Sequence, residues 1–325
     1  MANKFKIQYS IIFPAFNEEE NILPLIERIY ITLKPLKKEY EIIIVDNGST
    51  DNSPKLLSQL LLKNKSKVKR LKVVTLQRNF GYDNAIITGL AQASGNQIVI
   101  LDGDQQDPPE IIPQFLEKAK EGYGIVYGIR ENRTETFIIR MFIIIFYWFW
   151  SKFSNIKMPK NAGNFSVISK EVQRTILDMP EKNLYFRGIR AWSGIPSTGI
   201  VYNRDQRHLG YTKFNFIKYT NYALDGITSF STIPLRVLTF GGALGIILCF
   251  LLALFFLITK VSQLMGFNVY KVYIASGSTT IVLLILFGIS INLLGIGIIG
   301  EYIGRIMEEI KNRPRTIIKS IKSKN

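Results

Sequence analysis

Two long stretches of this chain carry no charged residue, Val237 to Thr259 and Val272 to Gly300, and they set the first limit on how it folds. Each exceeds the roughly 20 residues that a helix needs to cross the hydrocarbon core of a bilayer. Lys260 and Lys271 bracket the short connector between them, a pattern of two spans rather than of two core helices. Arg305, Lys311, Arg313, Arg315, Lys319, Lys322 and Lys324 follow the second run, whereas the connector holds only those two lysines. By the positive-inside rule both termini face the cytoplasm, and the basic tail of residues 305–325 lies against anionic lipid. Met1 to Ser10 is short and polar ahead of a strand, unlike a signal peptide. The sequence thus predicts a multi-pass protein of the inner, cytoplasmic membrane with its N-terminal region on the cytoplasmic side.

The net charge of +16 otherwise invites a nucleic-acid partner. Much of that charge sits beside the second apolar run, so membrane orientation explains it better and no nucleic acid is expected. Cys249 is the single cysteine and lies inside the first run, and His208 is the single histidine. An intramolecular disulfide and a His/Cys metal cage are both excluded.

From Gln8 to Tyr127 apolar strands alternate with amphipathic helices. Tyr9 to Phe13, Glu41 to Val45, Leu71 to Leu76, Gln97 to Leu101 and Ile125 to Tyr127 read as strands. Glu18 to Leu33, Pro54 to Lys63, Tyr82 to Gln92 and Pro108 to Lys120 read as helices. That order predicts an α/β fold, a mainly parallel sheet with helices on both faces, whose ligands bind beyond the carboxyl ends of the strands. Polar motifs stand at those ends: Pro14-Ala15-Phe16-Asn17-Glu18, Asp46-Asn47-Gly48-Ser49-Thr50-Asp51, Gln77-Arg78-Asn79-Phe80-Gly81 and Asp102-Gly103-Asp104-Gln105-Gln106-Asp107. Some of these residues also fit plain structural roles. Asn17 suits a helix cap, Ser53-Pro54 has the form of a helix start, and Asp107-Pro108-Pro109-Glu110 resembles a capping box. We read Ser53 and Asp107 as caps. Asp102 and Asp104 are either turn formers or, where Gly103 lets the backbone turn, two carboxylates converging on one hard divalent cation.

Phe137 to Trp150 is apolar and aromatic but too short to span and contains Arg140, which suits an interfacial helix. Phe214 to Phe230 invites the same interpretation, with a core helix as the alternative for both. Gly295-Ile296-Gly297-Ile298-Ile299-Gly300 matches the dinucleotide fingerprint, yet it lies in the second apolar run with no strand before it. Close helix packing is the better reading there and for Gly241 with Gly245 and Gly300 with Gly304.

Taken in order, the four strand-end motifs, with the last extended through Pro108-Pro109-Glu110, resemble those of the inverting family 2 glycosyltransferases with a GT-A nucleotide-sugar-binding fold. The likeness is greater to polyprenyl-phosphate glycosyltransferases, the group of dolichol-phosphate mannose synthases and bactoprenol glucosyltransferases. Arg207-His208-Leu209-Gly210-Tyr211-Thr212-Lys213-Phe214 and Leu224-Asp225-Gly226-Ile227-Thr228-Ser229-Phe230-Ser231, followed by two spans, resemble the bactoprenol branch. The resemblance covers roughly residues 8 to 310. It implies a nucleotide-sugar-binding core over 1–135, an acceptor-side and membrane-interface region over 136–232, and two transmembrane helices over 233–304. Two departures stand out: Asn47 where the family carries a second aspartate, and Asn164-Phe165-Ser166 where it carries an Asp-Phe-Arg run. Asn47 can still accept a hydrogen bond from a nucleobase through its amide oxygen, but without charge, so base recognition is either weaker or shared with Asp46.

The resemblance implies transfer of one hexose, with glucose from UDP-glucose as the leading donor, to undecaprenyl phosphate with inversion. Another donor sugar on the same lipid, a processive polysaccharide synthase and an inactive nucleotide-sugar-binding scaffold are the alternatives. No Gln-x-x-Arg-Trp acceptor signature supports the synthase. Pro14, Phe16, Asn17, Glu18, Asp46, Asn47, Ser49, Arg78, Asn79, Gly81, Asp102 and Gly103 are the candidate donor-binding residues. Asp102, Asp104 and Gln106 are the candidate ligands of Mg2+ or Mn2+. A phosphomonoester acceptor, with a second pKa of about 6, is largely ionised near neutrality, so it needs positioning and charge stabilisation more than a base. Arg133, Arg204, Arg207, Lys213 and Asn164 are the candidate acceptor-phosphate residues, and Asp104, Arg207, Lys213 and Arg130 carry the expected chemistry. The oligomeric state stays open, a homo-oligomer included.

Overall fold

The computed structural model describes residues 7–62, 68–131, 141, 161–182, 185–205, 233–265 and 278–324. Two units emerge, one of Met1–Phe230 with Asn312–Asn325 and one of Ser231–Lys311.

The first unit is built on one mixed sheet of eight strands: β1 (Tyr9–Ala15), β2 (Tyr40–Asp46), β3 (Leu71–Leu76), β4 (Gln97–Ile100), β5 (Ile125–Arg130), β6 (Ala162–Ser169), β7 (Ser197–Tyr202) and β8 (Ile318–Lys324), in the order β7-β5-β6-β4-β1-β2-β3-β8. β1 pairs in parallel with β2 and β4, and β2 with β3. Successive side chains of a strand point to opposite faces, and β1 shows the consequence. Ile11 and Phe13 join the core beneath α1 (Glu19–Leu33), α2 (Ser53–Leu62) and α4 (Ile112–Lys120). Ile12 joins the other core, against α3 (Tyr82–Gln92), α5 (Lys170–Asp178) and α6 (Phe186–Trp192). Strands covered on both sides read as continuous apolar runs, which is why the first five were visible in the sequence.

The sheet takes more of the chain than its parallel half. β6 runs antiparallel between β4 and β5 and is buried along nearly its whole length. β7 lies at the edge beyond β5 and runs parallel to it. Residues expected in an acceptor-side region are therefore integral to the same unit as residues 7–131.

The C-terminal residues differ most from expectation. Instead of a tail spread on lipid, Ile318–Lys324 form β8, antiparallel to β3 from Leu71↔Lys324 to Leu76↔Ile318. The Thr88 and Thr316 hydroxyls meet at 2.9 Å, and Arg315 Nε donates to the Glu181 carbonyl at 3.0 Å. Edge strands are commonly studded with lysine, which discourages pairing with further chains, and Lys319, Lys322 and Lys324 give β8 that character.

The second unit contains α7 (Ile233–Leu264) and α8 (Ser278–Ile310). Within α8, Ile285–Ile310 is long and apolar enough to cross a membrane and none of it is buried inside the protein. Among the described residues it is the one stretch that meets that length and composition test. α7 carries a similarly exposed set of large apolar side chains, including Phe240, Leu244, Ile247, Phe250 and Phe255. Of the glycines expected to pack helices, a Cβ added at Gly295 would meet Leu238 at 3.8 Å, whereas one at Gly241, Gly245, Gly297, Gly300 or Gly304 would meet none of the described residues within 4 Å. The segments 137–150 and 214–230, read as interfacial helices, lie outside the described residues apart from Met141, which is helical and exposed.

Candidate active site

The parallel strands β1, β2, β3 and β4 all end on one side of the sheet, and the polar motifs follow those ends. Asn17 adopts a left-handed backbone, φ 55°, a conformation asparagine tolerates better than most residues. It does not cap α1. Its backbone N–H donates to Ser49 Oγ at 3.0 Å, and its Oδ1 accepts the Thr50 N–H at 2.8 Å, tying the β1 exit to the β2 exit. Ser53 differs from the cap expected of it: its hydroxyl accepts the Glu18 N–H at 3.2 Å and donates to Asp51 at 3.0 Å. Glu18 in turn accepts from Asn21 Nδ2 at 2.6 Å.

Asp46 is fully buried at the end of β2. Its Oδ1 accepts the Ser49 N–H at 3.0 Å, while its Oδ2 is buried with no hydrogen-bond partner among the described residues. A buried carboxylate oxygen left unpaired is costly, so a donor group of a ligand would be strongly favoured there. Asn47 is different. Its amide nitrogen donates to Asn79 Oδ1 at 3.2 Å and to the Gly81 carbonyl at 3.1 Å, and its oxygen accepts the Phe80 N–H at 3.0 Å. Both of its donors are committed to the loop after β3, not offered to a base. Gly48 lies under that loop at φ 72°, where a Cβ would sit 2.4 Å from the Arg78 carbonyl carbon, so glycine is required. Arg78 packs its guanidinium 4.2 Å from the Phe80 ring centre.

Gly103 serves close approach rather than a left-handed turn: a Cβ there would meet the Pro14 carbonyl oxygen at 2.5 Å. The left-handed residue of the turn is Gln105, φ 62°, whose amide donates to Asn21 Oδ1 at 2.8 Å. Around this turn three carboxylates and two arginines gather. Asp102 accepts from the Tyr82 hydroxyl, and its Oδ2 lies 3.1 Å from Arg204 Nη2 and 3.6 Å from Arg130 Nη2. Asp104 Oδ2 is 3.9 Å from the same Arg204 nitrogen. Asp107 is not a helix cap. It is fully buried, accepts from the Tyr202 hydroxyl at 2.6 Å, and lies 3.7 Å from Arg204 Nε and 4.0 Å from Arg130 Nη2. The short helical turn that follows, Pro109–Ile111, is preceded by Pro108 and has no side-chain cap.

Crowding separates the three acids. Burial pushes Asp102 upward, but Arg204 and then Arg130 outweigh it and hold the group below its usual range. Burial and then the Asp102 charge raise Asp104 to about 6. The same two causes raise Asp107. Burial lowers Arg130, but its carboxylate neighbours, Asp107 first, leave it above its ordinary value.

Gln106 turns toward β7: its backbone carbonyl accepts the Asp205 N–H at 2.9 Å, and its side-chain nitrogen is 3.5 Å from the Asp205 carbonyl. Arg28 of α1 completes this seam, 2.8 Å from Glu110 and 3.0 Å from Asp205. Asn164 is buried on β6 and accepts from Arg187 Nε at 3.0 Å. Arg187 also acts electrostatically on Asp102 and Arg130. Tyr82, Tyr202, Arg187 and Arg28 carry no motif, and sequence reasoning missed them; a long-range contact has no local signal. Arg133, Arg207 and Lys213 lie outside the described residues.

The model of the family described as "Glycosyl transferase family 2" matches residues 10–171, from β1 into α5. The SfII prophage-derived bactoprenol glucosyl transferase of Shigella flexneri is 37% identical over 315 residues, 96% of this chain and 98% of that protein. The chain belongs to glycosyl transferase family 2. An uncharacterized glycosyltransferase of Synechocystis sp. is also 37% identical, over 97% of this chain and 96% of its own length. Among solved structures, the mannosyl-3-phosphoglycerate synthase of Rubrobacter xylanophilus is 14% identical, with a TM-score of 0.46 over 72% of this chain and 75% of that one. As a member of this family the protein is a glycosyltransferase of the GT-A α/β fold, with the mostly parallel mixed sheet described above.

The residues fit the divalent cation expected here. Asp102 and Asp104 offer hard oxygens suited to Mg2+ or Mn2+. Burial and the neighbouring Asp102 charge raise Asp104, and among the described residues the buried Oδ2 of Asp107 has no hydrogen-bond partner, so the turn holds carboxylate oxygens that a cation would stabilise. Among the described residues no three acidic, histidine or cysteine side chains close on a common point. Arg204 stands between these carboxylates.

Proposed function

We propose that this glycosyltransferase moves one hexose, glucose from UDP-glucose, onto undecaprenyl phosphate with inversion. An ionised phosphate oxygen of the lipid attacks the anomeric carbon. The bond from that carbon to the UDP oxygen breaks, UDP leaves with the electron pair, and an α-linked donor gives a β-linked lipid phosphosugar. The observation that carries this reading is the meeting of two charge sets at the strand ends: Asp102, Asp104 and Asp107 on one side, and Arg130, Arg187 and Arg204 close by. Carboxylates serve a metal-bound diphosphate, while arginines suit phosphate oxygens through their planar fork. The likeness over nearly the whole length to proteins named bactoprenol glucosyl transferase supports a lipid-linked acceptor.

Individual roles follow. Asp46, with its unpaired Oδ2, receives the ring N–H of the base, and Asn47 shapes the loop beside it. Asp104 and Asp102, assisted by Gln106, would hold Mg2+ or Mn2+, which would neutralise the charge developing on the leaving diphosphate. Arg130, Arg133, Arg204, Arg207 and Lys213 receive the acceptor phosphate. Asn164 holds Arg187 in place at 3.0 Å and needs no carboxylate for this, because the acceptor arrives without a proton to remove.

Both α7 and α8 cross the membrane in this reading. β8 returns the chain to the sheet that contains β1 to β7, which supports a second crossing ahead of the one in α8. α7 is the helix available, and both termini then share the cytoplasmic side. A donor screen on the protein in nanodiscs tests the reading. UDP-glucose should give a β-linked glucosyl phospholipid by mass spectrometry and NMR, ahead of UDP-N-acetylglucosamine and GDP-mannose. Preference for another donor would move the assignment to that sugar, and nucleotide binding without turnover would favour a scaffold.

A further inference from the structure

Arg204 holds a position that electrostatics would give to a metal. Its Nη2 lies 3.1 Å from Asp102 Oδ2 and 3.9 Å from Asp104 Oδ2, and its Nε lies 3.7 Å from Asp107 Oδ1. One guanidinium is thus shared by all three carboxylates of the turn. The arrangement satisfies charge better than it satisfies hydrogen bonding: Arg204 Nε and Asp107 Oδ2 are both buried with no hydrogen-bond partner among the described residues. Groups held by a well-fitted network seldom leave such atoms unpaired.

We propose that Arg204 is the protein's own counterion for this turn and competes with the divalent cation for the same carboxylates. The inference rests on the reading that Asp102 and Asp104 bind metal. A dication entering among these oxygens meets a guanidinium of like charge a few ångströms away, and the two cannot both keep close contact with one carboxylate set. Only the Arg204 side chain has to move. The next residue, Asp205, is anchored by Arg28 at 3.0 Å and by the Gln106 carbonyl at 2.9 Å, so the backbone keeps its place. Arg130 differs in belonging to a strand and in standing further off, 3.6 Å from Asp102 and 4.0 Å from Asp107. Displaced from the acids, Arg204 becomes available to a phosphate at the same strand ends, which links donor-side loading to acceptor binding.

Direct Mn2+ binding to the full-length protein in detergent, with no nucleotide present, tests this. Free Mn2+ is measured by electron paramagnetic resonance for the wild type, Arg204→Ala, Arg204→Lys and Asp104→Asn, each checked for fold by circular dichroism. We expect Arg204→Ala to bind Mn2+ at least tenfold more tightly than wild type, Arg204→Lys to fall between them, and Asp104→Asn to lose binding. Mn2+ should also raise the melting temperature of Arg204→Ala more than that of wild type. Equal or weaker binding in folded Arg204→Ala and Arg204→Lys would overturn the competition and leave the metal assignment standing. Absence of Mn2+ binding in every folded form would overturn both.

Discussion

The Tyr202 hydroxyl donates to Asp107 Oδ1 at 2.6 Å, joining the last residue of β7 to the turn that follows β4. That bond is one of the few compensations a fully buried carboxylate has here, since Asp107 Oδ2 has no hydrogen-bond partner among the described residues. Tyr202→Phe keeps the ring, which packs edge-on against Phe165 with centroids 5.7 Å apart, and removes the hydroxyl that donates to Asp107 and accepts from Arg130 Nε at 3.5 Å. We expect a stability loss of about 1–3 kcal/mol, the usual cost of leaving a buried polar atom unsatisfied, together with reduced transfer. Thermal unfolding and an activity assay on the same preparation check it; an unchanged melting temperature would mean that water already serves Asp107.

Asn47 gives a sharper test of what the strand-end residues do. If it read the base, Asn47→Asp would strengthen acceptance of a ring N–H by adding charge. The geometry argues the opposite. The amide nitrogen that donates to Asn79 Oδ1 at 3.2 Å and the Gly81 carbonyl at 3.1 Å would become an oxygen facing two acceptors. Nucleotide binding measured by calorimetry should weaken severalfold, and the melting temperature should fall with it.

Asp104 predicts a pH dependence with a definite sign. Its carboxyl is raised from 3.8 to about 6 by burial and the Asp102 charge, a difference of roughly 3 kcal/mol between its protonation states. A raised acid costs nothing below pH 3.8. Its penalty grows as the pH climbs toward about 6 and is complete above that, so stability falls across this window. Asp104→Asn removes the penalty. In chelator, without metal, the variant should melt higher than wild type at pH 8, and the gain should shrink as the pH falls toward 5. Transfer activity should be lost even though stability rises.

The C-terminal strand supports a prediction about the unit of Met1–Phe230 with Asn312–Asn325. Removing residues 315–325 deletes β8 and the Thr88–Thr316 and Arg315–Glu181 contacts, and it uncovers the β3 edge. Bare edges template association. A fragment ending at residue 230 should aggregate by light scattering, whereas one that rejoins 312–325 through a flexible linker should stay monodisperse and melt higher. Equal behaviour of the two would show that β8 is dispensable.

These cases also show where sequence reading succeeds. β3 and α3 were legible to the residue, since an apolar run bounded by polar motifs leaves little choice of boundary. β8 was not. An exposed edge strand reading Ile-Lys-Ser-Ile-Lys-Ser-Lys has the composition of a basic tail, and its partner β3 lies far away in the chain. Asp102, Asp104 and Asp46 were visible because motif and strand end coincide. Asp107 was misread because Pro-Pro-Glu after an aspartate imitates a cap, and only its burial beside Tyr202 and Arg204 corrects it. Tyr82 and Arg187 carried no local pattern, since their partners Asp102 and Asn164 lie in other elements.

Transfer itself is the most direct measurement. The full-length protein in nanodiscs containing undecaprenyl phosphate is given UDP-glucose labelled in the sugar, with Mg2+ or Mn2+. We expect label to enter the lipid with release of one UDP per glucose, and no product when chelator is present or in Asp104→Asn. UDP-glucose consumed without label in the lipid, or transfer that persists at full rate in Asp104→Asn, would contradict the central claim.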